Sequence, residues 1–359
     1  MHPTSRLSTV FNGIICGILG ATFGIVLGNI LPWLMGGALA GAALDRTSIF
    51  LFSKFGNRAW LNRHRLLLLA LVEALFALYI LVPTLAAFAD VHPRRLPIEV
   101  TPTELGLSVE QVSLMTVDNI KIAGWYIPSR NGAAIILLHG QNGNRTLMLP
   151  YARILSEHGF GVLLLDLRAH GDSEGDVFAP CLSSLDAQAG AIFLMGRREV
   201  QPQRIGVMGI STGAHVGICA AARSQNIKAV LADGLGAGKS EDVLEPMLPE
   251  VRPLFFMAPL NWMFYQLADV FSGSTQEAPI KELVRQIPPR PILFISAGQD
   301  MLEAPLTRRY MEYAGTAATR WVIPEAGHCG GLATRPDEYS ARMISFFEQS
   351  LLGQEMTSR

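Results

Sequence analysis

Apolar positions are spread unevenly along the chain, and the first hundred residues differ from the rest. After a tail of residues 1–9, residues 10–44 contain no charged side chain, and residues 66–89 contain only one, Glu73. A bilayer core of roughly 30 Å needs about 20 helical residues. Residues 66–89 therefore predict one transmembrane helix. Residues 10–44 are rich in glycine, long for one span and short for two, so a single span and a hairpin both stay open.

The loop between these apolar segments indicates which side of the membrane each part occupies. Residues 45–65 carry five basic side chains, Lys or Arg, against one acidic side chain. Cytoplasmic loops are enriched in Lys and Arg. We therefore expect an integral protein of the cell membrane, with a cytoplasmic loop at 45–65 and everything from Asp90 onward outside the cytoplasm. Residues 90–102, with three prolines, read as a linker.

From residue 103 to 353 short apolar runs alternate with helical patterns. The predicted strands are 112–117, 121–128, 134–138, 162–165, 204–208, 229–231, 292–295 and 320–322. The predicted helices are 144–157, 185–197, 214–223 and 338–351. Strands that alternate with helices imply a mostly parallel sheet covered by helices on both faces. The predicted fold class is therefore α/β, preceded by transmembrane helices.

The sequence Gly-Ile-Ser-Thr-Gly at residues 209–213 lies between a predicted strand and a predicted helix. A sharp turn there exposes the serine hydroxyl above the sheet edge, and small neighbours are needed because the turn is tight. The same pattern occurs at 171–175, but in a loop with no helix beginning at its serine, Ser173. The context selects Ser211 as the candidate nucleophile.

A serine needs a histidine to take its proton and an acid to orient that histidine. His328 follows the last predicted strand among glycines, whereas His215 falls within the helix after Ser211. Asp300 follows the strand at 292–295 and is the simplest acid, with Glu303 as the runner-up. The order Ser211, Asp300, His328 is the one that this architecture requires.

A tetrahedral intermediate also needs backbone N–H donors directed at its oxyanion. One donor is expected from Thr212, directly after the nucleophile, and the other from the loop at residues 139–144, at Gln141. His139 in that loop is interpreted as a buried structural residue rather than a catalytic one.

These motifs together resemble the α/β-hydrolase superfamily over about residues 102–353. Within it, the chain is similar to membrane-anchored serine hydrolases related to the monoacylglycerol-lipase and serine-aminopeptidase-like groups. The resemblance is carried by Gly-Trp-Tyr at 124–126, His-Gly at 139–140, the 209–213 motif, Asp300 and His328. Residues 166–173 are similar to the family's D-x-R-G-H-G-x-S stretch, with Ala169 in place of a glycine. The resemblance implies that this stretch is structural.

The resemblance also implies that residues 235–280, inserted between two strands, form a lid over the site. The segment is rich in aromatic residues and methionine, which suits acyl chains but would equally pack a lid onto the body. The expected substrate is a small ester or acyl compound, amphiphilic or lipid-like. Three alternatives stay open: a thioesterase, an inactive binding protein, and a peptidase that uses acidic residues of the lid. Those acidic residues are Glu241, Asp242, Glu245 and Glu250. Dehalogenase chemistry is disfavoured because its nucleophile is an aspartate.

Composition excludes several other classes. Charged residues make up 16 % of the chain and the formal net charge is −1, so no nucleic-acid partner is expected. We predict no cofactor and no metal, since the chain lacks a Cys-x-x-Cys pair, a phosphate loop and a dinucleotide fingerprint. The oligomeric state stays open.

Of the four cysteines, Cys219 is predicted to be buried and inert. Unpaired thiols at Cys181 and Cys329 are favoured over a bridge between them.

Overall fold

A computed structural model describes residues 71–353, with gaps at 73, 246, 275 and 276. The chain divides into two compact units, one of Met1–Ala89 with Phe256–Phe271 and the other of Asp90–Phe255 with Ser272–Arg359. The predictions for the apolar segment 10–44 and the basic loop 45–65 lie outside the described residues.

The larger unit is built on an eight-stranded, mostly parallel sheet, which confirms the α/β part of the predicted fold class. Its strands are β1 Glu110–Met115, β2 Lys121–Ile127, β3 Ala134–Leu138, β4 Gly161–Leu165, β5 Ile205–Ile210, β6 Ala229–Asp233, β7 Ile292–Ala297 and β8 Ala318–Ile323. Their order across the sheet is β1-β2-β4-β3-β5-β6-β7-β8. The pairs β1–β2 and β2–β4 are antiparallel and all other neighbours are parallel.

Helices of the larger unit connect and cover these strands. The α-helices of the described residues, in both units, are α1 Val82–Val91, α2 Leu149–Glu157, α3 Pro180–Met195, α4 Thr212–Arg223, α5 Ser240–Leu244, α6 Ala258–Ser272, α7 Ile280–Val284, α8 Glu303–Ala314, α9 Gly331–Thr334 and α10 Pro336–Phe347. Short 3-10 helices lie at Pro102–Leu105, Arg145–Met148, Pro249–Met257 and Gly315–Ala317, and π-helical turns at Ala77–Leu81 and Glu348–Leu352. The sequence interpretation missed α8. Its buried residues Leu306, Tyr310 and Ala314 recur every four positions, which is a helical period.

Both faces of the sheet are buried, which explains why the central strands read as unbroken apolar runs. Every residue of β3 and of β4 is buried. Successive side chains of a strand point to opposite faces. Ile136 and Leu138 accordingly pack in one core cluster, while Ile135 and Leu137 pack in the other. The parallel strands bring their C-terminal ends, and the loops after them, to one edge of the sheet.

Most of the apolar helical segment Ala74–Val91 lies in the smaller unit, whose first part ends at Ala89. Among the residues that the structure describes, it is the one helix long and apolar enough to cross a membrane. It overlaps the predicted span at 66–89. In the same unit the Tyr79 hydroxyl donates to the Phe256 carbonyl oxygen at 3.1 Å. The rings of Phe88 and Phe271 meet edge to face, with centroids 5.7 Å apart.

A disulfide joins α3 to α4. Cys181 lies in the first turn of α3 and Cys219 on α4, with Cα atoms 5.1 Å apart. Cys329 carries a free thiol. The favoured free thiol at Cys329 and the buried position of Cys219 are confirmed. The unpaired Cys181, the unreactive Cys219 and the alternative Cys181–Cys329 bridge are wrong. The reason is that Cys181 begins a helix packed beside α4 rather than lying in a loop at the sheet edge.

Peptide mapping of the non-reduced, full-length protein is expected to recover Cys181 linked to Cys219 and Cys329 open to alkylation. The linked cysteines are 38 residues apart, so a double Cys181→Ala, Cys219→Ala variant should lose about 4 kcal/mol of unfolding free energy in the chain-entropy description. Chemical denaturation measures the loss, with the reduced and alkylated wild type as the matched control. Full alkylation of Cys181 and Cys219 without reductant would contradict the linkage.

Candidate active site

Ser211 occupies a strained turn between β5 and α4. Its φ is 54° and its ψ is −123°, a conformation that costs a non-glycine residue energy and marks functional sites. The flanking glycines are required by packing. A Cβ atom on Gly209 would lie 2.1 Å from the carbonyl oxygen of Gly213, and one on Gly213 would lie 2.3 Å from that of Leu138. The turn thus explains the Gly-x-Ser-x-Gly pattern.

His328 lies between Ser211 and an acid. Its Nε2 atom is 2.9 Å from the Ser211 Oγ atom, and its Nδ1 atom is 2.5 Å from Oε1 of Glu303. Glu303 is buried at the start of α8, and its second oxygen accepts the N–H of Ala297 at 2.7 Å. The structure therefore brings together a serine, a histidine and a carboxylate in the order Ser, Glu, His along the chain.

The structure gives Asp300 a different place from the one expected. One carboxylate oxygen lies within 4.8 Å of ligand atoms of Glu303 and His328. Its hydrogen bonds, however, come from the backbone N–H groups of Leu302 and Glu303, at 2.8 and 3.0 Å. Asp300 thereby caps the N-terminus of α8, and that helix presents Glu303 to His328. The residue that bonds His328 is therefore Glu303, the runner-up of the sequence interpretation, and not Asp300.

The carboxylate also sets the acidity of the imidazole. The hydrogen bond with Glu303 raises the pKa of His328, against a smaller opposing effect of burial, and the charges of Asp300 and Asp233 add to the increase. An ionised carboxylate only accepts hydrogen bonds, so it places a proton on Nδ1 and leaves Nε2 free to accept one from Ser211.

The 139–144 loop passes directly against Ser211. A Cβ atom on Gly140 would lie 3.1 Å from Cβ of Ser211 and 3.7 Å from its Oγ. No acceptor in the described part of the chain receives the backbone N–H of Gln141 or of Thr212. For Thr212 this follows from its place in the first turn of α4, where N–H groups have no partner within the helix. Thr212 directly follows Ser211, and Gln141 directly follows Gly140, the residue that approaches Ser211.

The remaining candidate residues are structural. His139 is fully buried, its Nε2 accepts the N–H of Leu167 at 3.0 Å, and burial lowers its pKa to about 4. Ser173 is buried and its hydroxyl donates to the Asp166 carbonyl oxygen at 2.6 Å. Ala169 adopts the left-handed conformation, with φ of 62°, so the turn that usually carries glycine is kept.

A cavity of about 210 Å³ opens beside Ser211 and His328. Its wall includes His215, which lies on the flank of α4 as expected, and burial lowers the pKa of His215 to about 3. Among the described residues, two groups of side chains have metal-ligating atoms within 4.8 Å of one another. In the first, with His215, the sulfurs of Cys181 and Cys219 are bonded together. The second is Asp300, Glu303 and His328, where the histidine and Glu303 already bond each other.

The geometry agrees with comparisons to known proteins. Residues 135–342 match the alpha/beta hydrolase family. The uncharacterised protein YfhR of Escherichia coli (strain K12) is 25 % identical over 256 residues, which cover 68 % of this chain and 82 % of YfhR. The thiohydrolase aneE of Aspergillus aculeatus is 30 % identical over 126 residues, which cover 34 % of this chain and 40 % of aneE. The Pyrococcus furiosus esterase Pf2001 is 26 % identical and superposes with a TM-score of 0.60, covering 73 % of this chain and 98 % of that structure.

The match extends over more than half of the chain, and a Gly-x-Ser-x-Gly sequence at a strand-to-helix turn, as at Ser211, is a feature of this class. The chain therefore belongs to the alpha/beta hydrolase family. The family and its esterase neighbour support hydrolase activity in general.

Proposed function

We propose that the protein is a serine hydrolase that cleaves ester bonds through Ser211, His328 and Glu303. One observation carries the proposal: His328 is within hydrogen-bond distance of Ser211 Oγ on one side and of buried Glu303 on the other, at 2.9 and 2.5 Å. That is the nucleophile, base and orienting acid arrangement of acyl transfer.

In this mechanism the Ser211 proton moves to Nε2 of His328 as Oγ bonds to the carbonyl carbon. The oxyanion that forms accepts hydrogen bonds from the N–H groups of Gln141 and Thr212. When the intermediate collapses, the alcohol leaves with the proton from His328, and an acyl-enzyme remains. Water, deprotonated by His328, then attacks the acyl-enzyme and releases the acid and the free Ser211.

An amphiphilic or lipid-like ester is the proposed substrate, with the membrane bilayer as its source. Around and within α6, Met257, Trp262 and Val270 are exposed apolar residues, and exposed apolar groups in one segment suit lipid or membrane contact. We assign this segment to a lid at about 235–280 of a hydrolase domain at 103–353, after a linker at 90–102.

A thioesterase is the second candidate, because the 30 % identical relative aneE is a thiohydrolase. A peptidase receives less support, since two of the lid acids are engaged. Asp242 accepts backbone N–H groups from Gly238, Lys239, Ile280 and Lys281. Glu250 pairs with Arg308 at 3.0 Å. These carboxylates are occupied rather than free to hold a substrate amine.

Labelling with a fluorophosphonate probe tests the serine chemistry, and an inactive binding protein would not be labelled. A panel of p-nitrophenyl esters from two to sixteen carbons, with matched thioesters and aminoacyl amides, then tests the substrate class. We expect labelling, and faster turnover of medium and long esters than of amides. Failure of labelling, or preference for the amides, would overturn the ester proposal.

We propose that the hydrolase domain lies outside the cytoplasm. The basic loop 45–65 and the apolar segment Ala74–Val91 support this arrangement. The Cys181–Cys219 disulfide adds independent support, because structural disulfides persist in oxidising compartments and are rare in the cytosol.

Alkaline phosphatase, which is active only outside the cytoplasm, is expected to be active when fused after Arg359 and silent when fused after Arg58. The reason is that the span after the basic loop delivers the domain to the opposite side. A cytoplasmic β-galactosidase reporter at the same two positions is the matched control and should give the reverse pattern. An active phosphatase at Arg58 with a silent one at Arg359 would place the enzyme in the cytoplasm.

A further inference from the structure

We infer that the proximal linker, residues 90–97, is a positioning element of the active site. The backbone of this linker binds three side chains of the 139–144 loop and thereby sets the position of the Gln141 N–H group. The inference rests on the proposed function, because that N–H is a proposed oxyanion donor. The linker begins in the last turn of α1. Without this role it would only connect α1 to the rest of the chain.

The 139–144 loop directs its amide side chains at this one segment. The three amide residues of the loop each bond the linker backbone. They are Gln141, Asn142 and Asn144. The bonds run from Gln141 Nε2 to the Asp90 oxygen at 2.6 Å, from the Arg94 N–H to Asn142 Oδ1 at 3.3 Å, and from Asn144 Nδ2 to the oxygens of Leu96 and Pro97 at 3.3 and 3.1 Å. The linker thus bonds three of the six residues of the loop.

The linker is itself fixed to the body of the domain. The Arg95 guanidinium donates to three backbone carbonyl oxygens, those of Gly171, Ser173 and Gly175. The Val91 carbonyl oxygen accepts the N–H of Phe178 at 2.8 Å. Because Ser173 is buried and bonded to the end of β4, Arg95 anchors the linker to the sheet. The linker can therefore act as a fixed support for the loop.

The loop needs such a support because its own conformation is strained and weakly bonded. Asn142 has φ of 53°, in the left-handed region that asparagine adopts more readily than most residues but less readily than glycine. Within the loop one backbone hydrogen bond closes the turn, from Gly143 to Gly140 at 3.1 Å. The linker bonds offset this strain and restrain the residue that carries the donor.

A displaced donor should affect the chemical step rather than substrate binding. The oxyanion exists only in the transition state and intermediate, so its donors act on kcat. Removing one such donor costs about 100- to 1,000-fold in kcat. Displacement by loss of the anchor should cost less, and we expect a fall of about tenfold with KM unchanged.

Gln141→Met in the full-length protein tests this directly, because it keeps the backbone N–H and the side-chain length but removes the bond to Asp90. Arg95→Met removes the three guanidinium bonds between the linker and the body, keeps the Val91–Phe178 bond and leaves the side chains of the loop unchanged. Gln349→Met makes the same substitution at an exposed glutamine outside the site, where it removes a bond to the Ser345 hydroxyl, and is the matched control. Each kcat is divided by the sites titrated with fluorophosphonate, so unfolded molecules are not counted.

Gln141→Met and Arg95→Met are both expected to lower kcat per titrated site about tenfold with KM within twofold, while Gln349→Met stays at the wild-type value. If the wild type is labelled and active but both variants keep wild-type kcat per site, or change only KM, the positioning role is overturned and the hydrolase proposal stands. Absence of labelling and turnover in the wild type would instead refute the proposed function itself.

Discussion

Replacing Ser211 with alanine is expected to abolish fluorophosphonate labelling and to lower ester turnover by roughly 10⁴- to 10⁶-fold, the range lost when a triad nucleophile is removed. Ser211 is the hydroxyl that His328 contacts at 2.9 Å. Alanine keeps the strained turn with a similar Cβ, so the fold should survive. Gel-based labelling, kcat/KM and thermal unfolding measure the three expectations.

Ser173→Ala is the matched control, since residues 171–175 contain the second copy of the motif. The Ser173 hydroxyl donates to the Asp166 carbonyl oxygen and accepts a hydrogen bond from the Ala123 N–H at 2.8 Å. This variant should lose about 1–3 kcal/mol of stability, the cost of leaving buried groups unpaired, and keep its labelling. Labelling that survives in Ser211→Ala and disappears in Ser173→Ala would show that the other copy is the nucleophile.

Glu303→Gln is expected to lower kcat by about 10⁴-fold, since replacing a triad acid by its amide leaves the histidine in the wrong tautomer. The hydrogen bond to Glu303 raises the pKa of His328, so the variant should have a lower His328 pKa. The base acts in its neutral form, and activity rises with pH through that pKa. The acidic limb of the kcat/KM profile should therefore move to lower pH in Glu303→Gln.

Asp300→Asn is the matched control for the acid. Asparagine keeps the oxygen that accepts the Leu302 and Glu303 N–H groups, so α8 should stay in place and kcat should fall by less than about tenfold. Stopped assays across pH 5 to 9 compare both variants with the wild type. A 10⁴-fold loss in Asp300→Asn beside a mild effect in Glu303→Gln would restore Asp300 as the acid.

The sequence was sufficient to predict the sheet and the strand-to-helix turn at Ser211 because both depend on local patterns. The unbroken apolar runs of β3 and β4 follow from burial on both faces of the sheet, and the glycines around Ser211 follow from the tight turn. His328 was also accessible, because it is the loop histidine after the last strand. These features require no knowledge of how distant residues pack.

The acid and the disulfide depended on packing that periodicity alone did not resolve. Choosing between Asp300 and Glu303 required recognising α8, whose first turn uses one carboxylate as a cap and presents the other to His328. Pairing Cys181 with Cys219 required knowing that α3 begins at Pro180 and packs beside α4. Spacing of four between Leu306, Tyr310 and Ala314 was the available signal for α8.

The free thiol of Cys329 bears on how inhibitors of this enzyme should be classified. Its Sγ atom lies 3.6 Å from Nε2 of His328, and burial raises the pKa of the thiol. The group is therefore a poor nucleophile, but any adduct on it would crowd the imidazole. Slow inactivation by maleimides or mercurials would thus reflect steric obstruction of His328, and it should not be taken as the signature of a cysteine-dependent enzyme.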